Sequence, residues 1–337
     1  MSQQLTLAIV GATTSVGQSV LELLEERDLP IGRVVALGSA DEAGETVRAM
    51  GRNLDVEDVA HFDWAEAQLA LFLCSAQGSL RWADAAAEQG CVVLDTSGAF
   101  ISDDEVPLVY MGANPDALGD FRQRNLIALA CGVTSQLLAV LRPLHAEVGV
   151  ARANVAGYLA VAGAGAEGVS ELAGQTAALL NARPVEPACF PAQIAFNVLG
   201  QCGHMLDNGY SSEEWRLLQE SQKILGSDVA INPTLARVPV FYGDALALHL
   251  ELLQPLDAEQ IRAILRAAPG VALFEEEEGI PSPVVDANGR DEVLVARVRQ
   301  DVSHPLGADL WLVADNVRSG VAQGALQAIE VLLRDYL

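Results

Sequence analysis

The sequence predicts an α/β chain of two domains: a parallel sheet covered on both faces by helices, then an α+β domain on a mixed sheet. Three observations carry this. Over residues 5–130, short continuous apolar runs alternate with stretches of helical period, as strands buried on both faces require. After about residue 150 the apolar runs lengthen and some alternate in polarity, as strands with one covered face do. Finally, 337 residues, 51% of them apolar, suffice for two cores of ordinary size.

LTLAIV (5–10) reads as a first buried strand, followed by the loop GATTSVG and the helical QSVLELLEER. RVVALGS (33–39) and LALFLCS (69–75) are the second and third strands. The helical ADAAAEQG leads into CVVLDTS (91–97), and NLIALA (125–130) is the fifth. Alternation of strand and helix argues for a parallel sheet. ARANVAGYLAVAG, ARVPVFYG, ALALHLELL, EVLVARVRQ and DLWLVADN read as the longer strands of the second domain. SSEEWRLLQESQKIL and DAEQIRAILRAA are helices between them. The last helix, SGVAQGALQAIEVLLRDYL, is amphipathic and suited to return to the first domain. The predicted division is therefore 1–130 with 315–337, and 131–314. A broad sheet with a spare apolar face predicts a homodimer. The run EEEE at 275–278 reads as a solvated loop.

A net charge of −25 repels nucleic acid and anionic membranes, so neither is expected as a partner. An anionic ligand would need local cations. No apolar run has the length of a membrane span. The N-terminus MSQQLTLAIVG reads as a strand rather than a signal peptide, so the expected location is cytoplasmic. The cysteines at 74, 91, 131, 189 and 202 are odd in number, widely spaced and without a CxxC. They suggest neither a disulfide framework nor a zinc site. The five histidines form no ligand-spaced pair.

Two stretches carry candidate chemistry. GATTSVG, Gly11 to Gly17, lies between the first strand and first helix, where free N–H groups and the positive helix end suit a phosphate. It is not GxGxxG, and an ordinary tight turn would also fit. Asp41 and Glu42 follow the second strand, where a carboxylate accepts from an adenosine ribose and disfavours a 2′-phosphate. NAD is therefore favoured over NADP, although a charged loop tip would look the same. The second stretch is ALACGVTSQ (128–136), which sets Cys131 between a buried strand and a helix start. A nucleophile belongs there, and so does a small buried residue.

Taken together, GATTSVG, VVLDTSGAF, DDEVPLVYMGANP, AVAGAGAEGVSEL, FPAQIAFNV, EEWRLLQESQKIL, RVPVFYGD, APGVALF and VADNVRSG, in that order, resemble the aspartate-semialdehyde dehydrogenase family over nearly the whole chain. The resemblance implies a Rossmann-type NAD(P)-binding domain, an α+β dimerisation domain and a homodimer. It implies the NAD(P)-dependent interconversion of β-aspartyl phosphate and aspartate semialdehyde, a step of amino-acid biosynthesis. In that reaction a cysteine forms a thioester with the acyl group, and hydride then releases the aldehyde.

The resemblance places Arg237 on the substrate carboxylate, Glu220 on its ammonium and Lys223 on phosphate, with Gln136 beside the nucleophile. Glu220 and Lys223 are three apart on one helix and share a face; without the family they would read as a surface pair. Cofactor contacts fall to Gly11, Thr13, Thr14, Ser15, Val16, Gly17, Ser39, Asp41, Ser75 and Asn316. The departures gather at the chemistry. The family has NCSTxQ, and an ungapped alignment puts Gly132 at the nucleophile and Cys131 at the preceding asparagine. Asp244 stands where the catalytic histidine follows the arginine by seven residues. Ile101 replaces a phosphate-binding arginine, Thr14 a loop glycine, and Asp41 the arginine that would meet a 2′-phosphate.

A nucleophile displaced by one residue moves about 3.8 Å along the chain, and a shift of about 1 Å can cost about 100-fold. An ordinary aspartate is ionised at neutral pH and has no proton to give. His249 lies an odd number of residues from Asp244 and would face the other way on a strand. The first expectation is therefore a diverged paralogue with the fold, the dimer and an anionic amino-acid-like ligand, but little or no family activity. Two others stand beside it: an active aldehyde or acyl-phosphate oxidoreductase using Cys131 and an altered acid–base group, and a non-catalytic dimeric binding or scaffold protein.

Overall fold

The computed structural model describes residues 5–27, 29–275 and 279–337. Most of the EEEE run read as a solvated loop lies outside the described residues. The chain forms two compact units, Met1–Cys131 with Val321–Leu337, and Gly132–Gly320.

The first unit is built on seven parallel strands: β1 (Leu5–Val10), β2 (Ile31–Gly38), β3 (Glu57–Asp58), β4 (Leu69–Phe72), β5 (Val92–Asp95), β6 (Leu108–Val109) and β7 (Leu126–Leu129). Their order is β3-β2-β1-β4-β5-β7-β6. β4, β5 and β7 are buried along their whole length, the reason they read as unbroken apolar runs. The order reverses between β1 and β4. The loops leaving those strands therefore lie at the switch point where open sheets bind ligands. Helix α1 (Ser15–Glu26) follows β1, and α2 (Ala76–Glu88) follows β4. The C-terminal helix α7 (Gln323–Asp335) packs Leu326, Ile329 and Leu332 into the same core as Leu21 and Leu24 of α1.

The second unit carries a mixed sheet of β8 (Val150–Leu159), β9 (Ala230–Arg237), β10 (Asp244–Leu252), β11 (Val271–Leu273), β12 (Val293–Gln300) and β13 (Gly307–Ala314). The order is β9-β8-β10-β13-β12-β11. β8 runs parallel to β9 and β11 to β12, and the other pairs are antiparallel. Helices α3 (Val133–Val148), α4 (Gly165–Leu180), α5 (Ser212–Leu225) and α6 (Ala258–Arg266) complete the unit. Capping boxes start α5 at Ser211 and Glu214, and α6 at Asp257 and Gln260; each satisfies two orphan N–H groups.

ARVPVFYG, read from sequence as one strand, is divided. β9 ends at Arg237, because Pro239 has no N–H for a ladder. The segment 238–243 instead offers the Val240 and Phe241 carbonyls to the N–H groups of Val161 and Ala162, at 2.9 and 3.1 Å. This break sets Arg237 at the end of one strand and Asp244 at the start of the next. Among the described residues no helix is long and apolar enough to cross a membrane.

Candidate functional site

The glycine loop is shaped by contacts that a side chain would destroy. Gly11 has φ +85°, and a Cβ there would lie 2.6 Å from the Leu73 carbonyl oxygen. At Gly17 a Cβ would lie 2.3 Å from the Gly11 carbonyl oxygen. Thr14, expected to crowd a pyrophosphate, turns inward instead. Its hydroxyl donates to the Gly11 carbonyl at 2.7 Å and accepts the Gly17 N–H at 3.0 Å, capping α1. No protein acceptor takes the N–H groups of Thr13, Ser15 or Val16 among the described residues. They sit at the positive end of α1, and this arrangement fits a dinucleotide pyrophosphate.

The carboxylate that reaches this loop is Glu42, while Asp41 is exposed to solvent. Glu42 accepts from the Thr13 hydroxyl, and from the Ser39 N–H and hydroxyl, both at 2.7 Å. Burial alone would raise its pKa, but these hydrogen bonds outweigh burial and hold the carboxyl below its ordinary value. The sequence set both acids here, and the resemblance named Asp41 as the cofactor contact; the carboxylate bonded to the loop is the neighbouring Glu42. The choice between them is made by a turn in which the Glu42 N–H donates back to the Ser39 carbonyl. Ser75 caps α2, its hydroxyl accepting the Gly78 N–H at 3.3 Å. Ile101 is buried, so no cation replaces the family's arginine at that position.

Cys131 is buried with 7% of its surface exposed, and it packs into the apolar core of the first unit. Gly132 caps α3 with φ +61° and ψ −132° and no side-chain cap. Its N–H donates to the Gly320 carbonyl at 2.8 Å. The Ser135 hydroxyl meets the same carbonyl at 2.9 Å.

Around this turn the second unit gathers buried polar groups. Arg237, Asp244, Gln136, Glu220 and Asn316 are all buried. Arg237 donates through Nη1 to the Ala160 carbonyl at 2.7 Å, and Asp244 accepts the Ala160 N–H at 2.8 Å. A Cβ at Gly163 would stand 2.7 Å from Arg237 Nη1; the glycine in AVAGAGAEG makes that room. Arg237 also borders a cavity of about 440 Å³ shared with Cys189, Gln201 and His204.

Asp244 does not sit where an ordinary, freely ionised aspartate would. Burial pushes its carboxyl up to about 7, despite the Ala160 N–H, the Arg237 guanidinium and Gln136, while Glu213 adds to the rise. Gln136 approaches Asp244, yet neither amide atom makes a well-formed hydrogen bond with the protein. Asn316 Oδ1 accepts the Gly243 N–H at 2.8 Å and so fixes the turn that enters Asp244. His249 is exposed on β10 and faces Asp309 of β13.

Glu220 and Lys223 do not share an environment. Glu220 is fully buried and takes the Arg216 Nε at 2.9 Å, one helical turn back. Its other oxygen makes no well-formed hydrogen bond among the described residues. Burial raises its carboxyl pKa, against Arg216 and Thr134. Lys223, the chain's single lysine, lies on the exposed side of α5.

Two family models match the chain. The semialdehyde dehydrogenase NAD binding domain covers residues 6–121, and the semialdehyde dehydrogenase dimerisation domain covers 141–319. An aspartate-semialdehyde dehydrogenase of Shewanella violacea is 46% identical over 337 residues, 100% of both chains. A USG-1 protein homolog of Pseudomonas aeruginosa is 40% identical over 338 residues, again 100% of both. A crystal structure of aspartate semialdehyde dehydrogenase II from Vibrio cholerae, complexed with ASA, superposes with a TM-score of 0.96 at 46% identity. It covers 100% of each chain.

Proposed function

The chain belongs to the semialdehyde dehydrogenase family, and on that premise we propose that it is an aspartate-semialdehyde dehydrogenase-like protein with little or no family turnover. It would bind NAD on the glycine loop and a small anionic, amino-acid-like ligand in the second unit. The observation that carries this reading is Gly132, which offers no side chain at the nucleophile's place in the family pattern. Cys131, the adjacent thiol, is buried and packs against the apolar core of the first unit.

The retained groups support binding. Arg237 presents a buried guanidinium beside a cavity, suited to a carboxylate. Gln136 has two unmet amide atoms and Glu220 one unmet oxygen, groups a polar ligand would satisfy. On the cofactor side, Gly11 and Gly17 shape the turn, Thr13, Ser15 and Val16 offer N–H groups, and Glu42 would face the ribose. A bound nicotinamide dinucleotide would supply hydride transfer; the chain's own residues would hold and orient it. The partner we propose for the dimerisation domain is a second copy of this chain. Phe196, Val198 and Met205 are exposed on that unit.

One observation favours a second reading, an active oxidoreductase. A carboxyl that titrates at about 7, as at Asp244, can both give and take a proton near neutrality, which is what acid–base catalysis needs. The test is phosphate-dependent reduction of NAD and NADP with aspartate semialdehyde, run on the parent and on Cys131→Ser. Background rates in both, with NAD binding intact, support the first reading. Turnover that disappears in Cys131→Ser supports the second and sinks the first.

A further inference from the structure

The second unit holds a pocket that none of the groups above enters. It lies at the far edge of the mixed sheet, with a volume of about 370 Å³, within the range of small-molecule sites. Three arginines line it, Arg262, Arg297 and Arg299, in a chain whose net charge is −25.

Their clustering has a structural cause. The register between β12 and β13 shifts between Ala296 and Arg299, and Arg297 takes φ +52°. This is a β-bulge, a device that re-aims side chains. The bulge carbonyls then anchor two of the guanidinium groups. Arg262 donates to the Val298 carbonyl at 2.9 Å, and Arg299 to the Arg297 carbonyl at 3.2 Å. Arg262 also pairs with Glu259 and Arg299 with Asp309, at 2.6 and 3.0 Å. The Arg297 guanidinium makes no ion pair or hydrogen bond among the described residues and is exposed. Glu275, also on the wall, pairs with Arg266 at 3.2 Å. The rest of the wall is largely apolar, with Phe274, Ile280 and Val295. Ile280 is left 62% exposed.

A left-handed backbone is unfavourable for arginine, and such strain gathers where a side chain is needed in one place. We propose that this pocket binds a small organic anion, its carboxylate or phosphate head on Arg297 between the two anchored arginines and its apolar body against Phe274, Ile280 and Val295. The site is independent of the glycine loop and of Arg237, and does not rest on the proposed function.

Phenyl phosphate, benzoate, inorganic phosphate and phenol are titrated calorimetrically into the full chain and into Arg297→Gly and Arg297→Lys. Glycine suits the left-handed backbone, so its loss of affinity cannot be ascribed to misfolding. Phenyl phosphate or benzoate is expected to bind one site per chain, more tightly than inorganic phosphate, and the tighter of the two names the head group. Affinity should fall about tenfold or more in Arg297→Gly and be kept in part by Arg297→Lys. Three results would overturn the proposal: no binding of either organic anion at about 10 mM, equal binding to Arg297→Gly, or phenol binding as tightly as phenyl phosphate.

Discussion

Arg237 and Asp244 hold the two polar groups of one residue, the guanidinium on the Ala160 carbonyl and the carboxyl on the Ala160 N–H. The cation and the acid are thus fixed to one peptide segment where β8 ends. Their separation is set by backbone, so a ligand carboxylate on Arg237 would meet a preset neighbour in Asp244. In its protonated form that neighbour is a hydrogen-bond donor, and in its ionised form it repels an anion.

Asp244 should therefore make stability depend on pH. Burial raises its carboxyl to about 7 in the folded chain from 3.8. Between about pH 4 and 7 the folded state keeps a proton that the unfolded state has lost, so stability falls as pH rises through that window and levels off above it. Asp244→Asn keeps an acceptor for the Ala160 N–H and removes the charge. Compared at pH 8, the variant should be more stable than the parent, by at most about 4 kcal/mol; at pH 5 the gap should shrink. Equal slopes of Tm against pH in the two proteins would exclude a buried, proton-holding Asp244.

Much of the fold was legible because parallel strands buried on both faces leave an unmistakable trace: LTLAIV, LALF and VVLD can scarcely be anything else. The return of the last helix could be read from its amphipathic period. The site was less legible, since its decisive features are hydrogen bonds without a sequence period. Nothing in ADEAG separates Asp41 from Glu42 until the chain turns back on Ser39. The spacing that put Glu220 and Lys223 on one face said nothing of depth, and one is buried while the other is exposed. VLVARVRQ reads as an ordinary strand, and its bulge follows from pairing with β13.

If the chain has the low turnover proposed for it, Gly132 and Asp244 should be enough to account for it. A Cβ at Gly132 meets nothing within 4 Å, so a thiol has space there, although φ +61° costs a side chain about 1–3 kcal/mol. The double variant Gly132→Cys/Asp244→His is expected to raise aspartate-semialdehyde turnover about 100-fold or more over the parent, with a lower Tm. Each single variant should gain little, because thiol and base act as a unit. A double variant that folds, binds NAD and stays at background would show that the loss lies elsewhere, with Ile101 the next position to restore.

Glu42 should set the cofactor preference. Its carboxylate is tied to Thr13 and Ser39 and would face the adenosine ribose, where a 2′-phosphate adds like charge. Fluorescence titration should give NAD at least about tenfold tighter than NADP. Glu42→Ala should narrow that ratio, chiefly by a gain for NADP. Equal affinities in the parent would remove the basis for an NAD preference.

Gln136 should separate stability from binding. The residue is 1% exposed and neither amide atom makes a well-formed hydrogen bond with the protein; such a buried group costs roughly 1–3 kcal/mol of desolvation. A side chain kept for packing alone would do better as a hydrocarbon of similar size. Gln136→Leu should therefore raise the stability of the ligand-free chain by about 1 kcal/mol while weakening an amino-acid-like anion such as aspartate by about tenfold or more, since the ligand would then face an apolar wall. Denaturant unfolding reads the first effect and calorimetric titration of aspartate the second. If Gln136→Leu destabilises the chain instead, the amide has a structural partner and the unmet atoms do not mark a ligand. If it stabilises the chain and leaves aspartate binding unchanged, the ligand is held by Arg237 without Gln136. Only the paired result, a gain in stability with a loss of binding, identifies the amide as a group kept for something that enters the site.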